Sequence, residues 1–411
     1  MSHRILRAVA VAAALLPASW AAAASLSLDQ AVDLAVQRSQ MTRAAQAGAQ
    51  SIAEMARSAG QLPDPMLAIG IDNLPATGGS RFNTNAEDMT MKRVGLAQEW
   101  VSAEKRAARE GVASAMHRRE QLMERVAAAD VRLQTATAYV ETYYAAEAWK
   151  LTALDESHAR EALEAGKGRL VSISGSSAEV LALTGALGLA EDEASDMRQQ
   201  QAAASATLRR WTGEAADELV APRLWPLPPE EAFVAAHPLV LARQRDIEVA
   251  RQDAEATRLN RRPNWTYELS YGQRQGRPDL VSFGVNIPLP VAPAERQDRE
   301  TAAKLAMVGK AEADLDEAQR AAAGEYAALA SDARRLQERI DRYGAAVLQP
   351  LRQRTEAMLA AYRSNQSSLA MVFEARHAEL DARRRLLGLE RDRDRVHAQL
   401  VFKPVLEGAV R

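Results

Sequence analysis

Three stretches of this chain place a carboxylate three residues before a histidine: Asp155 and His158, Glu374 and His377, Asp394 and His397. On a helix this spacing puts both side chains on one face. In di-iron four-helix bundles, Glu-x-x-His from each of two helices supplies metal ligands. Such a centre also needs two further inward carboxylates. In a chain with 54 acidic residues the spacing recurs by chance. The reading is therefore no metal site and no cofactor, with a transient part for His377 in passing cations left open. His117 and His237 read as surface or packing positions. No nucleophile elbow, phosphate-binding loop, dinucleotide fingerprint or HExxH motif is present, so the chain is read as no enzyme. The 52 basic residues nearly balance the acidic ones, for a formal charge of −2. That balance gives nucleic acid no electrostatic foothold. Cysteine is absent, which removes disulfides and thiolate metal sites.

The elements that would carry these side chains are of two kinds. Alanine, glutamate, glutamine, arginine and leucine dominate, and aromatics make up 5%; this is the composition of long helices and coiled coil. Ser27-Leu28-Asp29-Gln30 forms a capping box. It opens an amphipathic helix to about Ala59, ended by Gly60 and Pro63-Asp64-Pro65. A nearly unbroken helical pattern covers about 102–164, then a break rich in glycine and serine covers 166–177, and a helix returns over about 178–211. Pro228-Pro229-Glu230-Glu231 starts a further helix, to about Arg261. Another runs over about 294–362, a break covers 363–368, and the last helix covers 369 to about 401.

Four times the hydrophobic period drops to two, the mark of a strand. Leu67, Ile69 and Ile71 alternate with Ala68, Gly70 and Asp72 near 66–73. Val94, Leu96 and Trp100 share one face near 91–100. Trp265, Tyr267, Leu269 and Tyr271 alternate over 265–272, and Val281, Phe283, Val285 and Ile287 over 281–287. The chain thus repeats itself: helix, strand, loop, strand, long helix, tip, helix. Pro65 and Pro263 hold equivalent places, and Gly95 matches Gly284. The expected domains are a signal peptide at 1–24, a first repeat at 25–213, a linker at 214–229 and a second repeat at 230–411. The signal peptide rests on Arg4 and Arg7, the apolar run Ala8 to Leu16, and the small residues Ala22-Ala23-Ala24. A retained anchor is the alternative, but the run is short of the roughly 20 apolar residues a bilayer helix needs.

A strand that is greasy on one face and small or polar on the other suits a membrane barrel. A soluble sheet packed on helices shows the same alternation. Export to the periplasm, and flanking helices too long to fold back over a small sheet, favour lipid. On that reading Leu67, Ile69, Ile71, Val94, Leu96, Trp265, Tyr267, Leu269, Tyr271, Val281, Phe283, Val285 and Ile287 would face lipid. Four strands cannot close a barrel, for which about eight is the lower limit. An open edge in hydrocarbon would cost several kcal/mol per unpaired backbone group. Several chains must therefore share one barrel: two give eight strands and three give twelve. The long helices would continue that barrel into the periplasm as a tube, or else pack as a solid coiled coil.

Over essentially its whole mature length the sequence resembles the TolC family of outer-membrane efflux channels. Leu26 to Ala35 looks like the family's opening helix. Leu62 to Pro75 (LPDPMLAIGIDNLP) is similar to the first-strand motif of members that serve metal-cation pumps. Phe283 to Pro290 looks like the closing strand of the second half, and Tyr362 to Ala375 resembles the second hairpin tip. The resemblance implies a mainly α fold of tandem long-helix hairpins. It implies a homotrimer with a shared 12-stranded barrel in outer-membrane lipid and a periplasmic α-barrel. Export would be passive, powered by an inner-membrane pump of the resistance-nodulation-division type through a periplasmic adaptor, or membrane fusion protein. The tips would form the entrance and meet the adaptor, through Ser172, Ser174, Gly175, Asn365, Ser367 and Ser368. The family's paired entrance aspartates correspond to Met371 and Glu374 here, so only the second acid is kept. A threefold ring of Glu374 would favour cations, and Tyr362 and Arg363 are candidate latch residues. Without cysteine, no N-terminal lipid is expected. A periplasmic coiled-coil adaptor or scaffold is the competing reading. It would show one hairpin flanked by soluble β-domains, not two equal repeats with aromatic strands.

Overall fold

A computed structural model describes residues 25–172, 176–215, 218–223 and 225–405. The expected signal peptide, and Ser174 and Gly175 at the first tip, lie outside the described residues. In chain order the elements begin with α1 (Leu28–Arg38), α2 (Gln40–Ala59), β1 (Met66–Asp72), β2 (Met91–Trp100), α3 (Ala103–Val171) and α4 (Ser177–Thr212). They continue with α5 (Glu230–Ala235), α6 (Pro238–Leu259), β3 (Trp265–Arg274), β4 (Leu280–Asn286), α7 (Gln297–Tyr343), α8 (Gln349–Arg363) and α9 (Leu369–Phe402).

Of the long helices, α3, α4 and α9 begin at a serine cap, whereas α7 begins at Arg296 without a side-chain cap. Ser27 and Gln30 close a reciprocal capping box on α1, satisfying two orphan amides at once. Ser102 accepts from the amide of Lys105 to start α3, and Ser176 from Glu179 to start α4. The 69 residues of α3 give a rod about 100 Å long at 1.5 Å per residue. No described helix is long and apolar enough to cross a membrane.

Three expected helices are interrupted. The first divides at Ser39, whose hydroxyl accepts from the amide of Thr42 at 3.1 Å and so caps α2. The helix expected from residue 230 divides at His237, which accepts from the amide of Leu239 while Pro238 takes the first turn of α6. The helix expected over 294–362 contains a π-turn at Gly344–Leu348, followed by Pro350. Proline lacks the amide that would pair with the carbonyl four residues back, and a widened turn accommodates that loss. In the opposite sense, α3 continues through Gly166 to Val171. Gly166 is a point of close approach, since a Cβ there would lie 2.8 Å from Leu183 of α4.

The spine of the fold is α3, which packs against α2, α4, α6 and α9; α7 packs against α6 and α9. Near its middle, Tyr139 is fully buried. Its hydroxyl lies 2.7 Å from the carbonyls of both Leu26 and Val220. Those two residues join the N-terminal segment to the linker through Leu26 N to Glu218 O and Val220 N to Leu26 O. Around them Leu28, Val32, Ala136, Leu208 and Ala398 form a core, with Trp211, Trp225 and Phe402 packed against it.

All four strands form one antiparallel sheet in the order β1-β2-β3-β4. The pairing of β2 with β3 joins the β1–β2 hairpin to the β3–β4 hairpin.

Candidate functional site

The register of the sheet sorts its side chains into two faces. One row runs Leu67, Leu96, Leu269, Phe283, and the next runs Ile69, Val94, Tyr271, Val281. These residues are exposed, Ile69 at 77%, Val281 at 73% and Phe283 at 70%. Rows of the opposite face read Ala68, Gly95, Ser270, Ser282 and Ala97, Glu268, Gly284. Glycine has a steric reason here. A Cβ on Gly95 would lie 2.9 Å from that of Ser270, and one on Gly272 would run into Met91. Arg93 on this face reaches Asp72 at 3.2 Å and Glu268 at 3.7 Å. The apolar face therefore continues across all four strands, with Lys92 as a charge at its loop end beside Ile71, and Arg93, Asp72 and Glu268 gather on the other face.

Trp100 and Trp265 are register partners at the helix-proximal end of the sheet, each about half exposed. Aromatic residues in that place suit a membrane–water boundary. Tyr267 is half-buried, and Ile287, 40% exposed, follows the end of β4. At the other end, Arg277 beside β4 pairs with Asp88 of the long β1–β2 loop at 2.6 Å. Among the described residues each outer strand has one partner: β1 pairs with β2, and β4 with β3. Both outer edges of the sheet thus present unpaired backbone groups.

Below the sheet, two helical hairpins end in tips, α3–α4 and α8–α9. Ser368 caps α9 by accepting from the amide of Met371. Thr355 of α8 lies 3.1 Å from the carbonyl of Ala375 on α9. The two tips meet through Ala162, Leu163 and Leu183 of the first hairpin and Leu369, Ala370 and Phe373 of the second.

The histidine motifs resolve into separate contacts. Asp155 does not share a ligand with His158; its Oδ2 lies 2.6 Å from Nδ1 of His377 on α9. Asp394 accepts from the hydroxyl of Tyr144 at 2.7 Å and pairs with Arg393. Burial, then that hydrogen bond, pushes the Tyr144 hydroxyl pKa far up, so it stays a donor. His237, read as an ordinary position, is buried and lies 3.3 Å from Glu325, which also pairs with Lys403. Among the described residues, no group of three or more His, Cys, Asp or Glu is placed to hold a metal ion.

No family model and no curated protein matches the sequence. Solved structures do match. The outer membrane protein VceC of Vibrio cholerae superposes with a TM-score of 0.72 over 92% of this chain and 95% of its own, at 16% identity. The MtrE outer membrane channel of Neisseria gonorrhoeae, in its open state, gives 0.75 over 92% and 88%, at 15% identity. CusC, solved in work on transmembrane channel formation, gives 0.74 over 91% of each chain, at 12% identity.

The fold is that of the TolC family of outer-membrane channels. Within the TolC fold, the residues expected at the entrance gather at the second tip. Tyr362 and Arg363 close α8, Asn365 takes a left-handed backbone at φ 59°, and Ser367 and Ser368 lead into α9. Met371 is 49% exposed. Glu374 is exposed but not alone, because Arg354 of α8 lies 3.4 Å away. Ser172 ends the described part of the first tip. Sequence reasoning missed Arg354 as a partner of Glu374 and missed the link between Asp155 and His377. Both pairings cross between helices, so no spacing along the chain announces them.

Proposed function

We propose that this chain is one subunit of a trimeric outer-membrane efflux channel. Each repeat, 25–213 and 230–411, contributes two strands to a shared 12-stranded barrel and one long hairpin to a periplasmic tunnel. Conduction is passive; an inner-membrane pump of the resistance-nodulation-division type delivers substrate, and a periplasmic adaptor docks at the tips. The observation that carries this reading is the open sheet. Its continuous apolar face is exposed, its opposite face is small and polar, and both edges are bare. In hydrocarbon such a sheet persists only if neighbours complete the ring of hydrogen bonds. The resemblance of Leu62–Pro75 to members that serve metal-cation pumps, and the acid at Glu374, support metal cations as cargo.

Two measurements test the reading. Detergent-extracted protein is expected at three times the subunit mass, and the same protein conducts ions across planar bilayers. A monodisperse monomer in aqueous buffer, with Trp265, Tyr267 and Phe283 covered by its own helices, overturns it.

A further inference from the structure

Asp155 is buried within the hairpin pair, its carboxylate only 4% exposed. One oxygen meets Nδ1 of His377 at 2.6 Å, and the other is buried without a hydrogen bond. A buried carboxylate without a countercharge is costly, and the imidazolium form of His377 supplies one. The ring of His377 stacks on Phe373 one turn nearer the tip, with centroids 6.1 Å apart and planes 20° from parallel. Phe373 in turn packs into the cluster that joins the two tips. His377 is therefore the charged end of a plug between α9 and α3.

The surrounding charges divide by helix. On α3, His158 lies one turn from Asp155. On α4, the charge of Glu193 favours the charged form of the ring. On α9, Arg384 opposes that charge, but it is itself engaged by Glu193 at 2.7 Å and Asp381 at 3.1 Å.

We propose that His377 and Asp155 form a protonation-controlled clasp that locks the second helical hairpin to the first just above the tips. The consequence for transport rests on the channel reading; the clasp itself does not. With the imidazole charged, the contact is a charge-assisted hydrogen bond, about twice as strong as a neutral one. Loss of the proton leaves Asp155 buried against a neutral ring. The hydrogen bond to Asp155, outweighing burial, holds the His377 pKa above its ordinary 6.5. A raised histidine pKa stabilises fully below the unfolded value and loses that contribution as pH rises through the folded value. The clasp is thus tight in acid and slack in mild alkali.

The test uses the full-length trimer, as wild type and as His377→Gln, which keeps a polar side chain and cannot titrate. Melting temperature in detergent and conductance in planar bilayers are read from pH 5.5 to 8.5. Wild type is expected to melt above the variant at the acid end, with the gap closing as pH rises. Its conductance rises several-fold over the same interval, while that of the variant stays flat. His377→Lys, permanently charged, holds the acid-form conductance throughout, and it decides the matter if the glutamine variant does not assemble. A pH-independent gap in melting overturns the clasp, as does a glutamine variant that keeps the wild-type pH profile. A pH-dependent gap in protein that never conducts supports the clasp and overturns the channel reading instead.

Discussion

Adjacent residues on β4 allow lipid and water to be told apart. Phe283 sits mid-strand on the apolar face at 70% exposure, and Ser282 points to the opposite, polar face. The perturbation is an arginine at each in turn. If the apolar face lies in hydrocarbon, Phe283→Arg costs about 2–4 kcal/mol per subunit near the bilayer midplane. Three copies bring this to roughly 6–12 kcal/mol per trimer, before any loss of the phenyl contacts with Leu269. On the same reading Ser282→Arg would face the lumen, where water solvates the guanidinium, and it would cost no more than about 0.5 kcal/mol. Were the sheet in water, both changes would fall within about 0.5 kcal/mol of neutral, as exposed substitutions do. The assay is refolding into phosphatidylcholine vesicles followed by urea titration, with the trimer fraction read on gels. An equal shift for the two variants, or a larger one for Ser282→Arg, refutes the assignment of faces.

Further outcomes follow from single contacts. Tyr139→Phe leaves the carbonyls of Leu26 and Val220 without their shared donor and should cost about 1–3 kcal/mol, read as a lowered melting temperature. Tyr144→Phe strips a buried hydrogen bond from Asp394, with an expected loss of about 1.5–3 kcal/mol and no change in trimer mass. Glu374→Gln unmasks Arg354 at the second tip; the reversal potential in a salt gradient should move toward anion preference, and an unmoved value removes Glu374 from the entrance. Burial, then the charge of Lys403, holds the His237 pKa below 6.5. A lowered histidine pKa means the unfolded chain takes the proton first. Wild type should therefore lose stability below about pH 6.5 relative to His237→Asn, which keeps a capping oxygen but does not titrate; parallel melting curves from pH 5 to 8 contradict this.

The sheet was legible because alternation is a local signal. Each expected strand lies within two residues of an observed one, including the turn from helix to strand at Pro263. The helix interruptions were less so. Ser39 breaks the backbone without breaking the apolar period, so a pattern reader passes over it. Pro238 and Pro350 did carry a signal, since proline inside a helical run marks a start or a distortion; the surrounding periodicity outweighed it. The tips hid for another reason. Asp155 and His377 are 222 residues apart, and their meeting depends on how two hairpins pack. That is set by bulk at Phe373 and Leu183 and by the absence of a side chain at Gly166. The same carboxylate-x-x-His spacing that suggested metal chemistry is divided among neighbouring helices and serves to hold them together.

The bare margins of β1 and β4 make the stability of this protein a matter of supply. A solitary subunit would expose adhesive backbone to any strand that drifts past, whereas the proposed trimer would leave none. Its melting point should therefore climb with protein concentration. Slow or dilute synthesis would endanger the sheet far more than the helices, which need no second copy to satisfy their amides.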